Sequence, residues 1–451
     1  MPIFMARRTS LRLAVVLLTI TALLVVPTIM SRWGRSGDQQ ALLMSPRGAS
    51  NRLPQRGGAT IATLQQRITD DPTTVAPYIS LAHAYLQEVR ETGDASFYTR
   101  TEAVLDRATE LEPHNSELLA TRGTLALARH DFAGALALGE QAVRLNPAAA
   151  RYYGVVADAQ IELGMYDEAL QTLQAMVDRR PDFNAFSRIA YARELHGDTE
   201  GAREAMRQAL EAGGMAPEHA AWSHTQLGNL ALGSGDLDNA AEHYDRAQST
   251  RDNYPAALAG QGHVAAAKGE LKQAAMLFQQ AFNRSPLAEY AIALGDVYTR
   301  MGDRQQAQRQ YELVRAIDTL LTSNGVNTDL ETALFFADHD IELPAAVARA
   351  RAAYAARPSI HTADGLAWTL YKTGNLEEAQ RLSTEALRLG TRDALKLFHA
   401  GMIAKGLGQI DQARIYLQAT VDLNPHFSLL YSDLAAMTLK ELAPTPPEGR
   451  K

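Results

Sequence analysis

Hydrophobic and polar positions divide the chain into three parts. Residues 13–30 form an apolar run without a charge, and the stretch after it is polar and shows no apolar period. From about residue 72 to residue 427 small and apolar residues recur regularly, and residues 428–442 carry apolar groups at helical spacing. This pattern predicts an apolar terminal helix, a linker and a long helical region.

The apolar run is long enough to cross a bilayer core as a helix, at a rise of about 1.5 Å per residue. Three arginines precede it within residues 1–12, and Trp33 follows it at a position suited to a membrane interface. We therefore predict a basic N-terminus over 1–12 and a transmembrane signal-anchor helix over 13–30. The expected localisation is a single-pass membrane protein with most of the chain on the extracytoplasmic side. A cleaved signal sequence and a cytoplasm-facing adaptor are the alternatives.

The other boundaries follow from composition. Residues 31–71 are expected to form a flexible stalk, because most of them are Gly, Ser, Gln, Arg and other residues without an apolar period. Residues 428–442 are expected to cap the end of the helical region. The tail, residues 443–451, contains three prolines and is expected to be disordered.

A glycine followed five positions later by an alanine recurs through the helical region at steps of about 34 residues, which is the period of a helix-turn-helix solenoid. The glycine can take the left-handed conformation that ends a first helix, and an Asp or Asn after it can begin the second helix. The alanine allows two helices to approach closely. The pairs are Gly164/Ala169, Gly197/Ala202, Gly235/Ala240, Gly269/Ala274, Gly302/Ala307, Gly374/Ala379 and Gly408/Ala413.

Prolines after the second helices mark the repeat boundaries, as at Pro147, Pro181 and Pro286. The units also contain Leu-Gly pairs and recurring aromatic residues, which are Leu227-Gly228, Leu294-Gly295, Tyr244, Phe278 and Tyr311. Together these features resemble the tetratricopeptide repeat family over about residues 72–427. The resemblance implies an all-α fold, a right-handed α-α superhelical solenoid of about ten hairpins, here preceded by one N-terminal transmembrane helix. The eighth unit departs from the pattern, since it lacks the turn glycine.

In this family one stripe of each first helix lines a concave groove for a partner. The implied function is a membrane-tethered scaffold or adaptor that binds protein or peptide partners in this groove without catalysis. Carried over to this chain, the groove residues are Tyr191, Asn229, His263, Asp296, Phe335, Trp368, Tyr371, His399 and Met402.

The carboxyl-terminal half of the stripe holds the aromatic and soft side chains that dominate many interfaces. An alternative interpretation is that Trp368 and Tyr371 pack between repeats, as aromatic residues in helices often do. The Lys and Asn pair with which one sub-family holds acidic peptide termini is missing, since Asp158 and Gly154 stand at matching positions.

Charge and composition indicate which kinds of partner and which kinds of chemistry are excluded. The net charge of −7, without a basic run beyond roughly the first sixty residues, argues against nucleic acid. The chain contains no cysteine, which excludes disulfides, thiolate nucleophiles and sulfur-ligated metals. We expect protein or peptide partners.

A metal-binding or catalytic function is the alternative from another class. The densest group of potential ligands is Asp338, His339, Asp340 and Glu342, with His361 and Asp364 as further candidates. Asp and His also commonly end helices in turns, and no phosphate-binding loop, Gly-x-Ser-x-Gly elbow or His-Glu-x-x-His motif is present. The expectation is therefore a chain without enzyme activity, cofactor or metal.

Overall fold

Helices, most of them in antiparallel pairs, make up the computed structural model, which describes residues 60–443. Within this range the chain forms 22 helices and no strand. The helices are α1 (Ile61–Asp70), α2 (Val75–Thr92), α3 (Ser96–Leu111), α4 (Ser116–Ala128), α5 (Phe132–Leu145), α6 (Ala150–Glu162), α7 (Tyr166–Arg179), α8 (Phe183–Leu195), α9 (Thr199–Ala212), α10 (Pro217–Gly233), α11 (Leu237–Thr250), α12 (Pro255–Ala267), α13 (Leu271–Arg284), α14 (Ala288–Arg300), α15 (Arg304–Ser323), α16 (Asp329–Asp338), α17 (Leu343–Ala356), α18 (Ile360–Lys372), α19 (Leu376–Ala386), α20 (Ala394–Gly406), α21 (Ile410–Leu423) and α22 (Ser432–Glu441).

Each even-numbered helix from α2 to α20 pairs with the helix that follows it, giving ten hairpins that we number as repeats 1 to 10. The prediction of an all-α chain of about ten hairpins is thereby confirmed for the described residues. All seven predicted turn glycines have φ between 73° and 82°, the left-handed conformation that side chains disfavour. The turns are therefore built as the Gly/Ala pattern predicted.

Aspartates begin several second helices, as predicted. The carboxylates of Asp198, Asp236 and Asp303 accept hydrogen bonds from backbone N–H groups three residues later, at 2.9, 3.2 and 3.1 Å. Each bond pairs an amide that has no partner within its helix. The caps and the glycines together separate the two helices of a hairpin.

Two repeats build the turn without glycine. In repeat 8, Asp340 and Glu342 have φ of 54° and 44°, so two residues with side chains adopt the left-handed conformation. In repeat 2, His130 does so with φ of 62°. Such conformations are costly for residues with a Cβ atom, and for His130 a contact described below offsets the cost.

The folded region begins earlier than the predicted stalk boundary. Helix α1 lies within the range assigned to the stalk, and its Leu64 is buried against Leu81 and Tyr85 of repeat 1, with Ile61 and Ile68 beside them. Three apolar residues at spacings of three and four therefore cover the outer face of the first repeat. This pattern is too short to be recognised as a helix by its period alone.

The C-terminal cap is helical only in part. Residues 428–431 are not helical, because the Ser428 hydroxyl accepts hydrogen bonds from the N–H groups of Leu430 and Tyr431, both at 3.2 Å. Helix α22 begins at Ser432 and packs against α21.

The predicted localisation is corrected. We expected a single-pass membrane protein with an extracytoplasmic solenoid, but no helix among residues 60–443 is both long enough and apolar enough to cross a bilayer. The predicted basic N-terminus and the anchor helix over 13–30 lie outside the described residues, as does the tail from residue 444.

The solenoid coils back onto itself, because the hairpin turns of repeats 2 to 5 contact the junctions that follow repeats 7 to 10. The hydrogen-bonded partners along this inter-turn seam lie 192 to 197 residues apart in sequence. The seam contacts are His130 Nδ1 with Asn327 O (2.6 Å), Arg357 Nη1 with Glu162 Oε2 (3.0 Å), Ile360 N with Tyr166 Oη (2.9 Å), Thr391 Oγ1 with Leu195 O, and Asn424 Nδ2 with Leu232 O (2.9 Å). Repeats 7 to 10 thus lie on repeats 2 to 5 as a second superhelical turn.

Apolar side chains cross the seam as well. Ile360 is fully buried in a cluster of repeats 3 and 4 that includes Tyr166 and Leu195. Near the other end, Ile317 and Leu321 of the long helix α15 join the core of repeats 1 and 2. Burial of such side chains stabilises each contact by roughly 1.5–3 kcal/mol per residue, so the seam combines hydrophobic burial with paired backbone groups.

Charged and titratable groups are enclosed in the seam. The Glu162 and Arg357 side chains are 5% and 6% exposed. Burial raises the pKa of the Glu162 carboxyl to about 7, although the Arg357 charge opposes this. Burial also lowers the pKa of His130 to about 4. The seam is therefore sensitive to protonation.

Substitutions of turn glycines distinguish turns that contact the seam from turns that do not. Gly197 and Gly302 have nearly equal φ, 78° and 79°, but a Cβ atom at Gly197 would lie 2.4 Å from the Gly390 carbonyl oxygen, whereas one at Gly302 would meet nothing within 4 Å. Gly302→Ala is expected to lower the free energy of unfolding by about 1 kcal/mol through backbone strain. Gly197→Ala is expected to cost at least about 2 kcal/mol more, because it overlaps the next superhelical turn. Urea denaturation measures both; equal losses would contradict the seam.

Acidification is expected to weaken the seam through His130. Its pKa in the folded chain is below the ordinary value of 6.5, so neutral His130 stabilises the fold above that pH and the contribution is lost as the pH falls towards 4. The loss amounts to about 3 kcal/mol at 1.36 kcal/mol per pKa unit. His130→Asn, which tolerates the left-handed conformation, removes this titration. Urea denaturation should show that the free energy of unfolding of the wild type, measured relative to the variant, rises between pH 4 and pH 7, since the opposite titration of Glu162 is common to both proteins. A constant difference would exclude the role of His130.

Candidate functional site

The concave faces of repeats 5 to 8 line a cavity of about 510 Å³, which we call the central cavity. Its walls come from the first helices α10, α12, α14 and α16 and from the adjoining face of α15. Residues 424–433 form a further wall, and His130 reaches it from the seam. The second superhelical turn and the C-terminal residues therefore add walls that make the concave groove a pocket.

Amide groups lie on one wall of the central cavity. The Asn229 Oδ1 atom accepts a hydrogen bond of 2.8 Å from the Tyr244 hydroxyl, and Gln226 lies beside it on α10. Tyr244 itself is fully buried and packs against Gly228 and Gly260. The orientation of Asn229 is thus set by a core residue of its own repeat.

A buried Asp–His pair supports another wall of the cavity. Asp296 Oδ1 lies 2.8 Å from His339 Nε2 and accepts a hydrogen bond of 2.9 Å from the Tyr311 hydroxyl. Burial lowers the pKa of His339, but the hydrogen bond and the negative charge of Asp296 outweigh it and raise the pKa overall. Burial and the Asp296 carboxylate raise the pKa of Tyr311, so its hydroxyl remains a donor.

Aromatic and small residues complete the lining. Trp222, Tyr254 and Tyr290 supply ring surface, while Ala259 and Ala293 leave space between the helices. Mixed linings of this kind, with apolar surface and a few oriented polar groups, are typical of binding pockets.

Three of the nine predicted groove residues meet at the central cavity: Asn229, His263 and Asp296. His263 packs edge-on against Phe278, with ring centroids 4.8 Å apart. They come from three consecutive first helices, at the stripe position that the sequence assigned to the groove. Their role in binding stays a prediction.

Four other predicted residues lie together in repeats 9 and 10. Trp368 is 2% exposed and stacks on Tyr371 and His399, with centroid distances of 5.0 and 4.2 Å. Met402 joins the same apolar cluster. The rings form a layer as expected of a groove, but the layer is covered, which agrees with the packing interpretation of Trp368.

The last two predicted residues lie elsewhere. Tyr191 Oη is 3.1 Å from His361 Nε2, so it contributes to the seam. Phe335 is fully buried between Tyr311, Phe336 and His339. The position shared by these residues in the repeat therefore has a different environment in each superhelical turn.

The side chains of the candidate metal ligands each contact a different residue of the chain. Asp338 accepts a hydrogen bond of 2.8 Å from Trp368 Nε1, Asp340 pairs with Lys372 at 2.7 Å and Glu342 with Arg315 at 2.8 Å. Within residues 60–443 no group of three or more His, Asp or Glu side chains is placed to hold a metal ion. Proximity in sequence had suggested a cluster, but the helix end and the left-handed residues separate the side chains.

The sequence did not indicate Arg300, Leu429 or Tyr431 as groove residues. Arg300 Nη1 donates a hydrogen bond of 3.0 Å to the Leu429 carbonyl, and the Tyr431 hydroxyl donates one of 2.9 Å to Asp338 Oδ1. The helical spacing of residues 428–442 marked them as a cap, and nothing in it showed that the first of them turn towards the concave face.

Comparisons with known structures return other helical proteins at low similarity. A chain of the APC/C hetero-tetramer Cut9-Hcn1 is 12% identical, with coverage of 85% of this chain and 92% of that chain and a TM-score of 0.37. The type IV pilus biogenesis factor PilW is 15% identical, with coverage of 46% and 97% and a TM-score of 0.38. MamA is 18% identical, with coverage of 36% and 93% and a TM-score of 0.29. Likeness at these scores carries no inference about partners.

Sequence comparisons address the family directly. A comparison with curated proteins gives no match. Three family models, each described as tetratricopeptide repeat, match residues 126–190, 225–288 and 397–427. The matched ranges fall in repeats 2 to 4, 5 to 7 and 10, and they confirm the predicted tetratricopeptide repeats in these three ranges.

Proposed function

We propose that this chain is a protein-interaction scaffold that holds an extended segment of a partner protein in the central cavity and performs no reaction on it. The observation that carries the proposal is a cavity lined by the concave faces of four consecutive repeats. Stacked helical repeats present continuous inner surfaces of this kind to their partners.

Ring surface in the cavity provides a source of affinity. Trp222 and Tyr254 are half-buried and Tyr290 is buried at the wall. Aromatic side chains dominate binding energies in many interfaces because they bury large apolar areas at little conformational cost. An apolar side chain of the partner fits this part of the cavity.

Amide and imidazole groups provide orientation. Gln226, Asn229 and His263 line the cavity on adjacent helices, and groups of these types both donate and accept hydrogen bonds. A peptide backbone in an extended conformation offers alternating donors and acceptors to such a wall. We therefore favour an extended segment over a helix, whose backbone groups are already paired.

Rigid support of the wall reduces the cost of binding. Asn229 is held by Tyr244, and Asp296 is held by both Tyr311 and His339. Preorganised groups lose little freedom when a ligand binds. The proposed site is thus formed before the partner arrives.

A photo-crosslinker inside the cavity should find the partner. With p-benzoylphenylalanine in place of His263, irradiation of cells that express the chain is expected to give a discrete adduct with one partner. The matched control replaces Gln280, an exposed residue on the second helix of the same repeat that is not part of the cavity wall. Gel analysis and mass spectrometry measure the adduct; the same adducts from both positions, or none from His263 in a folded chain, would refute the proposal.

Removing one oriented amide should weaken the association. Asn229→Ala is expected to lower the adduct yield at position 263 about fivefold, the effect of a hydrogen bond worth about 1 kcal/mol. Because Asn229 also binds Tyr244, the melting temperature of the variant is measured alongside. An unchanged yield in a chain of unchanged stability would remove Asn229 from the site.

A further inference from the structure

The chain between α21 and α22 lies on the concave face, where a partner segment would be expected. We call residues 425–433 the C-terminal segment. It leaves repeat 10 at Asn424, turns at Ser428 and enters α22 at Ser432. Its residues line the central cavity opposite the first helices of the repeats.

Tyr431 anchors the segment on repeats 8 to 10. Its hydroxyl donates to Asp338 Oδ1 at 2.9 Å, its ring stacks on Phe398 with centroids 4.9 Å apart, and the ring of Trp368 meets it edge-on at 5.5 Å. The Tyr431 side chain is buried. A carboxyl oxygen and two rings thus contact one tyrosine.

Arg300 holds the segment at two further points on repeat 7. Its Nη1 atom donates to the Leu429 carbonyl at 3.0 Å, and its Nη2 atom pairs with Asp433 at 3.0 Å. The Leu429 side chain packs against the apolar cluster of repeats 6 and 7. The first helices of repeats 7, 8, 9 and 10 therefore each contribute one contact residue: Arg300, Asp338, Trp368 and Phe398.

The C-terminal segment also explains why part of the predicted groove is covered. Trp368, Met402 and Tyr371 share one apolar cluster with Phe427, Leu430 and Tyr431. Trp368 and Met402 are buried and Tyr371 is partly buried beside the chain's own residues, which occupy the surface as a bound peptide would.

We infer that repeats 7 to 10 form a recognition site for a segment that carries the pattern Leu-x-Tyr-x-Asp in a turn leading into a helix, and that the C-terminal segment occupies this site in competition with a partner that carries the pattern. Leu429, Tyr431 and Asp433 fill the three positions. The inference deepens the proposed function and rests on it, since both place a partner segment on the concave face. A tethered occupant has a high effective concentration, so it sets the threshold that a partner's affinity must exceed.

The test uses the full chain and a fluorescein-labelled synthetic peptide with the sequence of residues 424–437. The decisive variant carries Tyr431→Phe and Asp433→Asn, which keep both shapes but remove the hydrogen bond to Asp338 and the ion pair with Arg300. Fluorescence anisotropy is expected to show that the peptide binds this variant at least about tenfold more tightly than the wild type, the effect of losing a hydrogen bond to a charged group. A matched control, Leu434→Ala with Met437→Ala, changes exposed residues of α22 and should leave the affinity unchanged.

Specificity is tested with a second peptide in which the tyrosine is replaced by phenylalanine. It should bind the decisive variant about tenfold more weakly than the original peptide, because Asp338 then loses the tyrosine hydroxyl and keeps only Trp368 Nε1 as a donor. No binding of either peptide to the folded variant, or equal affinities for the wild type and the variant, would overturn the inference. The proposed function would survive that result, since crosslinking at His263 does not require Tyr431.

If the variant does not fold, hydrogen exchange on the wild-type chain tests whether the C-terminal segment detaches from its site. A competing segment detaches without unfolding of its site, so the amides of residues 429–433 should exchange at least tenfold faster than those of α20 and α21. If the amides of residues 429–433, α20 and α21 exchanged at the same rate, in a single opening event, the inference would be contradicted. Dimers of the wild type that disappear with Tyr431→Phe, seen by light scattering, would assign the site to a second copy and likewise contradict it.

Discussion

Contact between successive superhelical turns is the constraint on which the rest of the structure depends. Hairpin stacking alone gives an open coil in which each repeat touches only its neighbours. Here the turns of repeats 2 to 5 meet the junctions after repeats 7 to 10, and the backbone groups there are paired across the seam. Since the seam fixes the pitch of the coil, it also sets the size of the central cavity.

The sequence predicts the hairpins well because their determinants are local. A left-handed glycine and a capping aspartate act within one turn of the chain; the glycine recurs in every regular unit and the aspartate in several of them. Seam residues carry no such signal: Thr391 and Asn424 are ordinary loop residues, and their partners lie 196 and 192 residues away. The rotation of each hairpin must accumulate over several repeats before such pairs meet. His130 is the exception, since a histidine at a glycine position hints at a special contact.

The sequence indicates which residues face the concave side but not which of them are accessible. The stripe on the first helices is a local property, and Asn229, His263 and Asp296 of this stripe lie at the wall of the central cavity, while their role in binding stays a prediction. Whether a residue of the stripe is accessible to a partner depends on which other segment of the chain packs against it. The seam partner His361 meets Tyr191, and the C-terminal segment covers Trp368. Neither contact follows from the repeat pattern, because both arise from segments that the pattern does not describe.

The most direct measurement is the distance between the two superhelical turns in solution. The chain has no cysteine, so spin labels on Glu200→Cys and Arg392→Cys, exposed positions near the contact of Gly197 with Gly390, would be the only two labels in the molecule. The stacked arrangement predicts a single narrow distribution at short distance by double electron–electron resonance. A broad distribution at long distances would show that the turns are apart and would contradict the account.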